Sequence, residues 1–139
     1  AAVRDAIRIP LIANGDVETV EDAHDILRRS GADAVMVGRS CQGRPWHAGV
    51  LAGHAGPQTS EIPGLVVEHY RMMLEHYGPE VGVRHARKHL GWYLDRHAPD
   101  IAGEAKAAIM TSKDAGFVAE ALELALSSSA DASARQEAA

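Results

Sequence analysis

Two short apolar runs, each closed by a glycine-bearing pair, constrain this chain most. Ile9-Pro10-Leu11-Ile12-Ala13 runs into Asn14-Gly15, and Ala34-Val35-Met36-Val37 runs into Gly38-Arg39. A helix-like stretch separates them. Thr19 stands where an N-cap belongs, and Gly31 stands where a left-handed C-cap is usual. Glu21 and Asp22 open the stretch while Arg28 and Arg29 close it, the order that suits a helix dipole. Strands over roughly 9–13 and 33–37, apolar almost throughout, fit a parallel sheet covered on both faces. The pattern predicts two successive β/α units. Two strands can neither close a barrel nor make a sturdy sheet alone, so their apolar faces need partners that these residues do not encode.

The glycines carry a chemical expectation. β/α barrels gather phosphate in the loops after their last two strands, where backbone N–H groups point at the anion and glycine permits close approach. Asn14-Gly15-Asp16 supplies a tight turn with N–H donors, and Arg39 supplies a planar fork suited to phosphate. Each has a plain reading by itself, since Asn-Gly is a common turn pair and an arginine can hold a surface carboxylate. Together, one β/α unit apart, they match what a shared phosphate site requires.

Beyond residue 53 the pattern changes. Residues 54–60 read as a linker, without charge or apolar period. Ser60 and Pro63 open an amphipathic helix in which Ile62, Leu65, Val66, Tyr70, Met73, Leu74 and Tyr77 recur at helical spacing, ended by Gly78-Pro79. Further helices are predicted over 80–97, 100–111 and 114–127, with a disordered tail over 128–139. A short helix is also expected near Pro45. The fold class is therefore α/β followed by all-α, dominated by helix. Residues 1–53 form the β/α part and 61–127 a small helical bundle.

The 80–97 helix carries the second candidate site. Val83, Ala86, Leu90 and Leu94 share one face, with Arg84, Arg87, Lys88 and Gly91 on its flank. His85, His89, Trp92 and Arg96 lie opposite. Residues 84–97 hold four cations against one acid, Asp95, a local balance of +3 in a chain of net charge −5. That overall charge argues against nucleic-acid binding by the whole surface but leaves room for a local patch. Cations on a helix flank can meet phosphates, and Trp or His can stack on bases. The plain readings are a solvated face for the cations and burial for Trp92. His85 and His89 have the i, i+4 spacing of two metal ligands but no evident third, so no metal site is expected. Cys41 is the single cysteine, which excludes an internal disulfide and fits a reducing compartment. No run reaches the length of a membrane span. The chain begins with Ala and leads almost directly into a strand, so it reads as part of something longer.

Taken in order, Ile9 to Asp16, Gly31 to Arg39, and Gly43-Arg44-Pro45-Trp46 resemble the end of the barrel in bacterial tRNA-dihydrouridine synthases. Arg87-Lys88-His89 followed by Trp92-Tyr93 resembles a motif of their C-terminal helical domain. The likeness runs from about residue 7 to 97 and extends less strongly to 126. It is greatest to the subfamily also described as nitrogen-regulation proteins. The resemblance implies the last two β/α units of an FMN-binding TIM barrel, followed by a helical domain that grips tRNA. It implies reduction of a uridine C5=C6 bond in tRNA, with NADPH reducing the flavin, in the cytoplasm. Asn14, Gly15 and Asp16 match one flavin-contacting segment, and Gly38 and Arg39 match the other, at the phosphate. Arg84, Arg87, Lys88 and Arg96 are the expected tRNA contacts. The family's catalytic cysteine and its flavin-contacting lysine belong to earlier barrel units, and Cys41 does not replace that cysteine. The resemblance therefore leaves no catalytic residue in this chain, which is expected to be inactive alone and to pair its strands with the missing barrel or with a second copy. Two other readings stand beside it: a non-catalytic RNA-binding or interaction module, and an unrelated phosphate-binding barrel.

Overall fold

The computed structural model describes residues 2–137 and is dominated by helix. It divides at Gly56 into two compact units, Ala1–Gly56 and Pro57–Ala139.

In the first unit the strands are β1 (Ile12–Asn14) and β2 (Ala34–Met36), with a short α1 (Ala2–Ala6) ahead of them and α2 (Val20–Ser30) between them. The strands pair in parallel, Ile12 with Ala34, Ala13 with Val35 and Asn14 with Met36. Both are shorter than the apolar runs that predicted them. Pro10 has no N–H to give a ladder. Asp33 takes over the next position: its N–H donates to the Leu11 carbonyl at 2.8 Å, and its carboxylate accepts from the Leu11 N–H at 2.7 Å. Arg4 of α1 donates to that carboxylate at 2.7 Å and to the Ile9 carbonyl at 2.9 Å. A five-residue helix with one anchoring side chain has no readable apolar period, so α1 leaves no signal in the sequence pattern. The Leu11 N–H and then Arg4 hold the Asp33 carboxyl below the usual carboxylate range.

The connecting helix follows its sequence signals. The Thr19 hydroxyl accepts from the Asp22 N–H at 3.1 Å, and the Asp22 carboxylate accepts from the Thr19 N–H at 2.9 Å, completing a capping box. Gly31 adopts φ 68° and closes the helix on the Leu27 carbonyl. The expected cover on both strand faces is absent within this unit. Ile12 remains 62% exposed and Met36 44% exposed, because α2 can shield only one side of a two-stranded sheet.

The second unit is a bundle of α4 (Ile62–Tyr77), α5 (Pro79–His97), α6 (Gly103–Thr111) and α7 (Ala115–Glu137). A 3-10 turn at Thr59–Glu61 precedes it, so the end of the expected linker is ordered by a Gln58–Glu61 capping interaction. The short α3 (His47–Leu51) belongs to the first unit and starts two residues past Pro45. Val66, Val67 and Tyr70 of α4, Val83, Ala86, Leu90 and Leu94 of α5, Ile109 of α6, and Val118, Leu122 and Leu126 of α7 form the core. The α5 face matches its helical wheel. On α4 the stripe turns by one residue: Val67 is inside, while Leu65 and Tyr77 are exposed.

Residues 128–137, expected to be a disordered tail, instead continue α7. Nothing after Gly116 breaks a helix, alanine is the best helix former, and buried Leu126 anchors the turns that follow. The last two residues of the expected tail, 138 and 139, lie outside the described residues. Among the described residues no helix is long and apolar enough to cross a membrane.

Candidate functional site

The parallel register brings the C-terminal ends of β1 and β2 side by side, so Asn14-Gly15-Asp16 and Gly38-Arg39 leave the sheet at the same edge. Arg39 donates through Nη2 to the Asp16 carboxylate across that edge. Both side chains are more than 70% exposed, so the pair contributes at most about 1 kcal/mol. Asn14, Gly15 and Gly38 are exposed as well. Gly15 has a close neighbour at the Cβ position, Ile26 Cδ1 at 2.8 Å, the far end of a side chain that can turn aside. Gly38 has none, because a Cβ would find only Met36 Sδ at 3.8 Å.

Three residues that the sequence reading did not single out as site residues brace these loops. Buried Ser40 donates to the Val17 carbonyl at 2.5 Å. Arg44 donates to the Glu18 carboxylate at 2.5 Å and to the Ser40 carbonyl at 2.6 Å. Buried His47 places Nε2 3.0 Å from the Glu18 carbonyl. The segment after β2 thus holds the turn after β1 at Val17, whose side chain is buried, and at Glu18. Arg44 lies in the Gly43-Arg44-Pro45-Trp46 motif, so a signal for it was present. Ser40 and His47 have no local pattern. Cys41 sits half-buried in the Arg39–Cys41 3-10 turn.

The cations of α5 do not form one patch. Arg84 is exposed. Arg87, expected as an open contact, is half-buried and donates through Nη2 to the Thr111 and Ser112 carbonyls at 3.2 and 3.3 Å, capping the C-terminus of α6. Lys88 holds its ammonium 4.8 Å from the Trp92 ring centroid. Arg96 lies 12 residues and about 18 Å along the helix from Arg84. It lines a separate cavity of about 390 Å³ with His97, the start of α4 and the end of α7.

Trp92, for which burial was the plain reading, is half-buried. It belongs to a row of rings along the α4–α5 seam. His89 stands edge-on to Trp92 at 5.2 Å and to His69 at 5.7 Å. His69 Nδ1 and the Tyr93 hydroxyl are hydrogen-bonded at 2.8 Å. His85 instead stacks on Tyr77 at 4.7 Å. The two histidines with metal-ligand spacing therefore serve different neighbours. Among the described residues no three His, Cys, Asp or Glu side chains are grouped to hold a metal. Burial, then His69 and Lys88, lower the His89 pKa, and burial pushes the Tyr93 hydroxyl up to about 12.

The sequence that folds into this parallel β/α pair and helical bundle matches a protein family over nearly its whole length. The family model described as "Dihydrouridine synthase (Dus)" covers residues 1–130, and the chain belongs to that family. It is 66% identical over 129 residues to a "Probable tRNA-dihydrouridine synthase" of Rhizobium leguminosarum bv. phaseoli, covering 93% of this chain and 41% of the relative. A protein of the same description from Rhodobacter capsulatus is 45% identical over 75% of this chain and 34% of its own length. "tRNA-dihydrouridine synthase B" of Pectobacterium carotovorum is 42% identical over 71% and 33%. The chain thus spans about two fifths or less of the length of these relatives.

Proposed function

We propose that this chain is the C-terminal part of a flavin-dependent tRNA-dihydrouridine synthase. In this reading residues 1–53 complete the end of a TIM barrel, 54–60 connect, and 61–127 form the tRNA-binding helical domain. Bound FMN supplies the hydride that reduces a uridine C5=C6 bond in tRNA, with NADPH as the source of electrons. The work of this chain is binding. Its site is cytoplasmic, where tRNA is modified.

The observation that carries the reading is the Arg39–Asp16 pair across the adjacent ends of two parallel strands. An arginine there already engages an oxyanion, the Asp16 carboxylate, in an exposed and weak pair that a phosphate can displace. The residues present therefore fit a flavin phosphate. Arg39 would hold it by charge-assisted hydrogen bonds. Gly38, with no packing need for its missing side chain, would leave backbone open to the ligand. Asn14 and Gly15 would line the neighbouring turn. The Asp16 carboxylate accepts but cannot donate, so it would orient the Arg39 fork or accept from a ligand hydroxyl. The uncovered apolar side chains Ile12 and Met36 support burial of the strand pair in a larger sheet.

On the helical domain Arg84, Lys88 and Arg96 would meet the tRNA. Arg87 would act by holding the end of α6 in place.

Arg39→Ala in the full-length enzyme is expected to weaken FMN binding about tenfold, the loss of a hydrogen bond to a charged group. Flavin content and tRNA uridine reduction measure it, and unchanged flavin occupancy overturns the assignment.

A further inference from the structure

Arg84 and Arg87 meet a third cation from another element. Lys113, in the turn between α6 and α7, lines one cavity with them, together with Glu80 and Val83. The cavity volume is about 400 Å³. Three cations face one carboxylate around a single opening, in a chain whose overall charge is −5. Asp114, next to Lys113, is committed elsewhere, because its carboxylate accepts from the Gly116 and Phe117 N–H groups at the start of α7.

Arg87 fixes the geometry. Its Nη2 grips the Thr111 and Ser112 carbonyls, immediately before Lys113 in the chain. Its buried Nε has no hydrogen-bond partner among the described residues. A guanidinium so held keeps its charge beside the cavity it lines. Arg84 and Lys113 are both exposed, and they reach the same opening from α5 and from the α6–α7 turn.

We propose that this cavity binds a phosphate of an RNA backbone, with Arg84 and Lys113 as contacts and Arg87 as the positioning residue. The inference rests on the tRNA-binding reading above and adds a contact from outside α5 to it. An arginine fork and a lysine point charge on two separate elements suit a tetrahedral oxyanion approached from two sides. Contacts of this kind set position on a nucleic acid and not sequence choice.

The test uses the protein labelled with 15N at arginine and lysine, titrated first with inorganic phosphate and then with unmodified tRNA. Phosphate is expected to shift the Arg87 Nε–H, Arg84 and Lys113 signals saturably. Lys113→Ala and Arg84→Ala should each weaken tRNA binding several-fold and reduce the slope of log affinity against log salt by about 1. Arg87→Lys keeps the charge, so it should weaken binding with the salt slope unchanged. Lys106→Ala, whose lysine pairs with Asp95, should change neither. Two results overturn the cavity alone: phosphate shifts that do not saturate, or tRNA binding whose salt slope is unmoved in both alanine variants. Saturable phosphate binding without tRNA binding overturns the RNA assignment and the reading beneath it.

Discussion

Gly82 carries no side chain because α4 passes too close. A Cβ there would meet Leu74 Cα at 2.9 Å and the Met73 carbonyl oxygen at 3.0 Å, both backbone atoms that cannot step aside. Gly64, in α4 itself, has nothing within 4 Å of the same position. The two glycines therefore predict opposite outcomes. Gly82→Ala should lower stability by about 1–3 kcal/mol through overpacking, less the up to ~1 kcal/mol that alanine gains in a helix. Gly64→Ala should raise it by about 0.5–1 kcal/mol, since only helix propensity acts there. Urea midpoints of the two variants distinguish crowding from propensity. No sequence pattern separates these glycines, because both stand inside a predicted helix.

The α4–α5 seam joins two helices through rings as much as through aliphatic packing. His69 of α4 faces His89 and Tyr93 of α5, while Lys88 and Trp92 flank His89 on its own helix. Burial, His69 and Lys88 hold the His89 pKa below the usual histidine range. As pH falls, the unfolded chain therefore takes up the proton first. It binds more protons than the folded state across that window, so stability declines with acidification and levels off once both states are protonated. The melting temperature of the bundle should fall between about pH 7.5 and 5, the interval in which histidines change charge. His89→Gln should flatten part of that slope, and an unaltered slope would show that the seam is not its source. The helix wheel of α5 put His89 and Trp92 opposite its aliphatic face. It had no means of showing that α4 turns an aromatic edge toward them.

At the scale of the molecule the two units differ in how much they bury. The bundle encloses leucines, valines and tyrosines from four helices, whereas the strand unit buries Val17 as its chief apolar side chain. Local opening costs least where few apolar contacts must break. Amides of β1 and β2 should therefore exchange at least about tenfold faster than those of α4, α5 and α7 in the isolated 139-residue chain. Equal protection across both units would count against the strand pair as an uncovered piece of a larger sheet. If the strand pair belongs to a larger barrel, as proposed above, the strand amides should exchange more slowly in the full-length protein while those of the bundle stay unchanged.

The two β/α units and the four helices after them, the N-cap at Thr19, the left-handed turn at Gly31, the inward face of α5 and the family likeness all followed from short-range pattern in the sequence. Each depends on residues within one or two helical turns of one another, or on a motif read in line. Tertiary structure decided what depends on distant residues meeting. It shortened the strands through Asp33 and Leu11, and it set Arg39 against Asp16. It fastened Arg87 to the end of α6 and brought Lys113 to the cavity beside Arg84. Side-chain chemistry is written in the chain, but the partner of a long, mobile cation is chosen by whichever backbone groups folding carries within its reach.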